Sequence, residues 1–388
     1  MARSKQLGGV ALTVIILGVV SFLTDLSSEM ILPLLPLFYI SLGADMAVVG
    51  LIEGIAESTA SIMKVISGWF SDRTRKRKTL VFSGYSMSAA SKPFFALATT
   101  WQHVLVVRFT ERIGKGIRDP PRDAMIADSS KMGVRGRAFG YHRALDTGGA
   151  ILGPLAAAIL FPLLGFRNIF LTATIPAAIA VLLILTSVKE IRAKGQTKPR
   201  QLSRLSLKRF SSEFKVFIFV GMLFTLGNFS YAFMLLRANG LGISSALVPL
   251  VYLLFNVVYA VLTIPAGILS DLLGRRGLIS LGYAIFGAMC FGFAFATHSI
   301  HAVVLFAVYG MSMAITDTLQ RTYVSDLVPS ELRGTAFGIF HTVVGVATLP
   351  ASLIAGFLWH YYGATATFIY GSALTFLAAL VLIFGLRK

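Results

Sequence analysis

Runs of about twenty apolar residues recur through both halves of this 388-residue chain, separated by short polar loops. A run of that length is what an α-helix needs to cross the roughly 30 Å hydrocarbon core of a bilayer. Inside that core each backbone N–H and C=O must be paired within the protein, so the pattern leaves helices as the solution. Composition agrees: 56% of residues are hydrophobic and 13% charged, against roughly 25% charged in soluble domains. The recurrence excludes a soluble protein with one cleavable leader. The apolar segment behind the basic MARSKQLGG runs past Val20 to Asp25 and beyond, and is read as a retained span. Twelve helices are expected. The first, near 9–40, is longer than one crossing needs, and Pro33 and Pro36 predict an unwound section within it.

The net charge of +18 raises nucleic acid as a partner, but its distribution argues otherwise. Arg3 and Lys5, Arg73 to Lys78, Lys131, Arg135 and Arg137, the stretch from Lys189 to Lys215, Arg275 and Arg276, Arg333, Arg387 and Lys388 fall in alternate loops. The intervening loops are short and nearly uncharged. Basic residues collect on the inner side of a membrane, so both termini are expected in the cytoplasm and the chain in the cytoplasmic membrane. No soluble domain is left to carry a nucleic-acid surface. The single Cys290 lies in an apolar run and excludes a disulfide framework within one chain.

Internal repetition sets the architecture. Asp119, Asp128, Arg135, Gly136, Ala138, Phe139 and Gly140 recur 198 positions later as Asp317, Asp326, Arg333, Gly334, Ala336, Phe337 and Gly338. Gly68, Asp72, Lys76 and Arg77 recur 199 positions later as Gly267, Asp271, Arg275 and Arg276. The expected fold is all-α: two pseudo-symmetric six-helix bundles, 1–188 and 214–388, joined by a basic cytoplasmic linker, 189–213. Six helices per half, with equal orientation, make a parallel repeat about the membrane normal.

With these residues in hand, the whole chain resembles the major facilitator superfamily. Gly68, Asp72, Arg73 and the basic cluster to Lys78 are similar to that family's cytoplasmic loop signature, with Arg75 where the family usually has Gly and Gly274 at the matching place in the second half. Arg108, Gly114 and Gly116 resemble its fourth-helix signature, with Glu111 and Arg112 in place of Gln and Gly. Gly149 to Ala158 resembles the fifth-helix signature of antiporter branches, with Ala157 and Ala158 where Gly is usual, which leaves the direction of transport open. The resemblance implies a secondary transporter working by alternating access. It also implies gating by Gly68, Asp72, Arg73, Asp271 and Arg275.

The charges within the spans are the candidate machinery, since an ionisable group at mid-membrane costs at least ~3 kcal/mol and is retained for a reason. Arg108, Arg112, Lys115, Asp119 and Arg122 share one helical face, with Pro120 and Pro121 expected to kink the helix near Arg122. Asp25 and Glu29, and likewise Glu53 and Glu57, are each four apart on a helix. Lys64, Lys92, His142, Arg143 and Asp146 add further charge in the first half; Arg237, Asp317 and Arg321 are the main ones in the second. In one reading the cations pair with carboxylates of helices one, two and five as scaffold. In the other, some pairs exchange partners during transport. On the second reading Arg108, Arg112 and Lys115 bind substrate, with Tyr231, Tyr252 and Asn256 offering aromatic and amide groups. Asp25, Glu29, Glu57 and Asp146 carry protons, and Arg118 and Arg122 join the gate. Glu53 is expected near the outer surface, in water. The substrate expected is a small or medium organic anion or zwitterion, driven by protons or sodium. The alternative is a proton-coupled multidrug efflux antiporter for cationic or neutral amphiphiles, in which the carboxylates face the drug. No nucleophile elbow, phosphate loop or metal motif is present, so neither enzyme chemistry nor a cofactor is expected, and the transporter is expected to work as a monomer.

Overall fold

The computed structural model describes residues 6–7, 10–130, 134–190, 210–329 and 332–385. Most of the expected linker (191–209), together with Arg3, Lys5, Lys131, Arg387 and Lys388, lies outside these. A two-residue antiparallel pairing of Gln6–Leu7 with Val10–Ala11 precedes an all-helical chain. The helices are α1 (Leu12–Ile31), α2 (Leu35–Ser41), α3 (Met46–Thr74), α4 (Arg77–Leu97), α5 (Trp101–Asp128), α6 (Arg135–Ser187), α7 (Ser212–Gly227), α8 (Tyr231–Gly240), α9 (Val248–Leu273), α10 (Arg275–Phe295), α11 (Ser299–Asp326), α12 (Arg333–Tyr362) and α13 (Ala364–Phe384). Among the described residues nine helical stretches are long and apolar enough to cross a membrane. One of them is α6, whose 53 residues would span about 80 Å if straight, more than twice the bilayer core. It breaks at Gly165, whose φ of +67° a side chain would oppose.

The chain divides into two compact units. Unit 1 holds residues 1–38 and 59–199, and unit 2 holds 39–58 and 200–388, so the first part of α3 belongs with the second unit. In unit 1, α1 packs mainly on α6. A Cβ at Gly149 would stand 2.4 Å from the Phe22 carbonyl oxygen, so only glycine permits this approach. Val14, Leu17 and Val20 of α1 meet Val81 and Tyr85 of α4, Met125 and Ile126 of α5, and Ala180 and Ile184 of α6 in one buried cluster. Unit 2 is filled by rings: Phe224 stacks on Tyr283 at 4.1 Å and Phe255 on Tyr309 at 4.4 Å.

The break expected at Pro33 and Pro36 is present between α1 and α2. A second, not expected, interrupts the first helical run of the second half, between Gly227 and Tyr231. Ser230 caps the resumed helix by accepting from Ala232 N at 3.2 Å. The two breaks occupy matching places in the repeat. In contrast, Pro120 and Pro121 do not interrupt α5. Pro121 has no N–H for the Ile117 carbonyl, and Ser67 Oγ of α3 donates to that oxygen instead.

The structure also shifts the repeat by one residue after α3. Arg77 pairs with Asp128 and Arg275 with Asp326, so Arg77 corresponds to Arg275 and not to Arg276. Lys78 Nζ donates to the Leu185 carbonyl at 3.1 Å, and Arg276 donates to the Leu382 and Ile383 carbonyls, so Lys78 and Arg276 hold corresponding helix ends. The extra residue of the first half lies in the turn beside Arg75. There Arg75 has φ +56° and its counterpart Gly274 has φ +87°. Left-handed backbone costs an L side chain roughly 1–2 kcal/mol. Thermal unfolding of the purified protein is expected to show Gly274→Arg destabilised by about that amount, with Arg75→Gly at least as stable as the parent.

Candidate functional site

The charged face of α5 is assembled inside unit 1 against α1, α3, α4 and α6. Arg108, Glu111, Arg112 and Arg118 are all buried. Arg108 Nη1 donates to Glu111 Oε2 at 3.0 Å, and Arg112 Nε lies 3.5 Å from the same oxygen. One carboxylate thus serves two guanidinium groups one turn apart, a charge-assisted arrangement that offsets the cost of burying them. Arg118 donates to Ser88 Oγ at 2.8 Å and lies over the Tyr85 ring, 4.5 Å from its centre. Gly114 lets α4 approach here, since a Cβ would meet the Gly84 carbonyl oxygen at 2.7 Å. Lys115 is half-buried.

Toward the far end of α5 the pairing changes. Asp119 bonds Lys64 of α3 at 3.3 Å, with Arg122 at 3.6 Å. Arg122 also pairs with Asp123 at 2.9 Å and reaches Ser21 Oγ at 3.5 Å. Ser21 in turn donates to Asp146 Oδ1 at 2.7 Å, while Arg143 approaches Asp146 Oδ2 at 3.3 Å. The carboxyl groups of Asp25 and Asp146 meet side chain to side chain, and Glu29 stands one turn from Asp25 on the same helix. Three of the four residues expected to carry protons, Asp25, Glu29 and Asp146, are therefore in unit 1. Arg108 and Arg112 take their carboxylate from their own helix, while Asp119 and Arg122 reach α3 and α1.

In unit 2, Glu57 is half-buried within electrostatic reach of Tyr309. Tyr231 and Tyr252 meet at 5.3 Å with their rings tilted by 37°, and Tyr252 stacks on Phe255 at 5.7 Å, with Asn256 half-buried next in sequence. Tyr259 donates to Asp317 Oδ2 at 3.1 Å, and Arg321 lies 3.3 Å from the same carboxylate. Glu53 corrects the expectation of a solvated carboxylate. It is fully buried, accepting from Tyr39 at 2.8 Å and from Ser230 at 3.3 Å beside the start of α8.

The residues of the expected gate flank the turns after α3 and α9. Asp72 and Arg73 are exposed, with the Arg73 guanidinium 5.3 Å from the Trp69 ring centre, and Gly68 faces Pro120 of α5. Arg275 joins Asp271 at 3.3 Å as well as Asp326. Glu111, Lys92 and Glu53 have no role in the site as expected from sequence, yet each is buried within it or beside it. The spacing of Glu111 three residues from Arg108 and one from Arg112 was the available signal for its shared pairing. Nothing in the sequence signalled that Lys92 would point at Ser27 and Ser28.

The Major Facilitator Superfamily profile matches residues 17–237 and again 217–388. An uncharacterised MFS-type transporter of Methanocaldococcus jannaschii is 40% identical over 380 residues, 96% of this chain and 94% of that protein. Among solved structures, a nucleoside transporter, NupG, superposes with a TM-score of 0.82 at 14% identity, covering 97% of this chain and all of that one (100%). A peptide transporter, POT, in complex with sulfate gives 0.82 at 13% identity, covering 98% and 96%.

Removing the shared carboxylate would take one charge-assisted partner from two buried guanidinium groups. Glu111→Ala is expected to lower stability by about 3–5 kcal/mol, read as a fall in the unfolding midpoint of the detergent-purified protein. An unchanged midpoint would show that Glu111 does not hold the cluster.

Proposed function

This chain belongs to the Major Facilitator Superfamily, multi-pass membrane transporters of small molecules, and on that premise we propose that it moves a small or medium organic anion or zwitterion by alternating access, driven by protons. The observation that carries this reading is an excess of buried positive charge. Among the described residues of unit 1, four buried cations, Lys92, Arg108, Arg112 and Arg118, stand against one buried carboxylate, Glu111, with Asp25, Glu29, Asp119 and Asp146 half-buried. Forked guanidinium donors suit carboxylate or phosphate oxygens, and a buried cation excess favours an anionic cargo. Arg108, Arg112 and Lys115 bind the anionic group in unit 1. In unit 2, Tyr231, Tyr252 and Asn256 offer a surface to the organic part.

Asp25 and Asp146 are the proposed seat of the coupling proton. A hydrogen bond between two carboxyl groups needs one proton, and losing it leaves like charges in contact. Ser21 and Arg143 stand on Asp146 to receive its charge, with Arg122 behind them on Ser21. Glu29 and Glu57 complete the set of proton-carrying carboxylates. Gly68, Asp72, Arg73, Arg118, Arg122, Asp271 and Arg275 make the gate, whose ion pairs must break and re-form as the protein cycles. The remaining parts of the reading are twelve crossings, both termini in the cytoplasm, the bundles 1–188 and 214–388 joined through 189–213, and a monomer without cofactor or enzymatic chemistry.

Proteoliposomes with an imposed pH gradient test this reading. Arg112→Ala is expected to lose at least ~10-fold in anion flux, the loss of one charge-assisted contact. Asp25→Asn is expected to keep exchange of cargo for cargo while losing its response to the pH gradient. Undiminished flux in Arg112→Ala would sink the anion reading, and flux of cationic amphiphiles alone would replace it with drug efflux.

A further inference from the structure

Lys92 enters that reading only as one of four buried cations. Lys92, in the middle of α4, is 1% exposed. Its ammonium donates to Ser27 Oγ and to Ser28 Oγ, the latter at 3.1 Å, and makes no ion pair with a carboxylate among the described residues. Ser27 is itself committed, donating to the Ala173 carbonyl. Two hydroxyl groups satisfy hydrogen bonds but supply no charge, so this ammonium feels the carboxylates of Glu111, Asp25 and Glu29 only from beyond ion-pair distance.

Beside this ammonium is a small cavity lined by Ser28, Ile31, Leu32, Lys92, Phe95, Arg108 and Glu111. Its size admits a single water or compact ion and excludes an organic molecule. The charges on its wall are Lys92 and Arg108, both positive, and Glu111, negative, which leaves one net positive charge. Glu111 is the carboxylate on this wall and is already turned to Arg108 and Arg112, while Asp25 and Glu29 act on Lys92 from α1. Ser28 offers a hydroxyl, while Ile31, Leu32 and Phe95 exclude water from the remaining wall.

We propose that this cavity is a binding site for a compact inorganic monoanion of the halide class, held by Lys92 and Arg108 with Ser28. The charge count selects a monoanion over a dianion, and the size selects a halide over an organic acid. The site shares Arg108 with the cargo reading, but its ligand need not move and its probes need no transport.

Thermal unfolding of the purified full chain, in chloride and gluconate buffers of equal sodium concentration and pH, tests the proposal. The midpoint of the wild-type protein is expected to rise saturably as chloride replaces gluconate, with bromide acting alike. Lys92→Met, close in volume and uncharged, is expected to lose the response, and Lys92→Arg to retain it. Ser28→Ala is expected to shift the response to higher chloride. A wild-type midpoint indifferent to halide, or an equal response in Lys92→Met, overturns the proposal; so does stabilisation by acetate without bromide, which would assign the cavity to a carboxylate end of the cargo. Should Lys92→Met fail to fold, crystals of the wild-type protein grown in bromide decide: an anomalous peak beside Lys92 Nζ supports the site, and its absence there overturns it. Failure here leaves the anion-transport reading intact, since flux through Arg112→Ala is measured independently.

Discussion

Glu111 sets the terms for the interior of unit 1, because among the described residues its carboxylate is the one buried anion among cations that a bilayer would otherwise reject. Arg108 and Arg112 converge on one of its oxygens, so one carboxylate of α5 offsets two guanidinium groups of the same helix. The rotation of α5 is set by what the same helix presents to others: Gly114 faces α4, Arg118 lies on Tyr85, and Asp119 and Arg122 reach α3 and α1. A helix with so polar a face is not held by lipid. It is held by neighbours that supply hydroxyls, carbonyls and rings at the depth where each charge falls.

The two halves share a frame and differ in what they enclose. Arg77 with Asp128 matches Arg275 with Asp326, and Lys78 on Leu185 matches Arg276 on Ile383. These contacts sit at helix ends, where unpaired carbonyls must be met whatever the interior carries. Inside, the correspondence lapses. Tyr85 meets a guanidinium, whereas its counterpart Tyr283 stacks on Phe224 and accepts from Gln320 at 2.9 Å. Lys92 stands where the second half has Cys290. An ancestral frame kept twice and filled differently is what a transporter needs if one half is to handle charge and the other organic surface.

The architecture was legible because hydrophobic length and repetition are properties of whole segments. The α1–α2 break was legible from Pro33 and Pro36, which remove donors and crowd the preceding turn. The matching break at Asn228 to Ser230 carries no proline; its signal is only a pair of weak helix formers and a capping serine, common inside membrane helices. Conversely, Pro120 and Pro121 looked like a kink, and the compensating hydroxyl of Ser67 comes from another helix that spacing along α5 could not reveal. Burial was the least legible quantity. Glu53 reads as one more carboxylate near a loop, yet Tyr39 and Ser230, 14 and 177 residues away, close around it. The one-residue shift beside Arg75 was hidden because consecutive basic residues align equally well in either register.

In unit 2, α3 and α12 approach backbone to backbone: a Cβ at Gly356 would lie 2.5 Å from the Met46 carbonyl oxygen and 3.2 Å from Gly50 Cα. Such a contact has no side chain to act as spacer, and it reports any separation of the two helices directly. The chain's single thiol, Cys290, is buried within α10. Cysteines introduced at exposed positions on α3 and α12 would therefore be the accessible thiols of the folded protein, and spin labels attached to them would read the opening of this seam as a distance distribution, without first stripping native cysteines from the sequence.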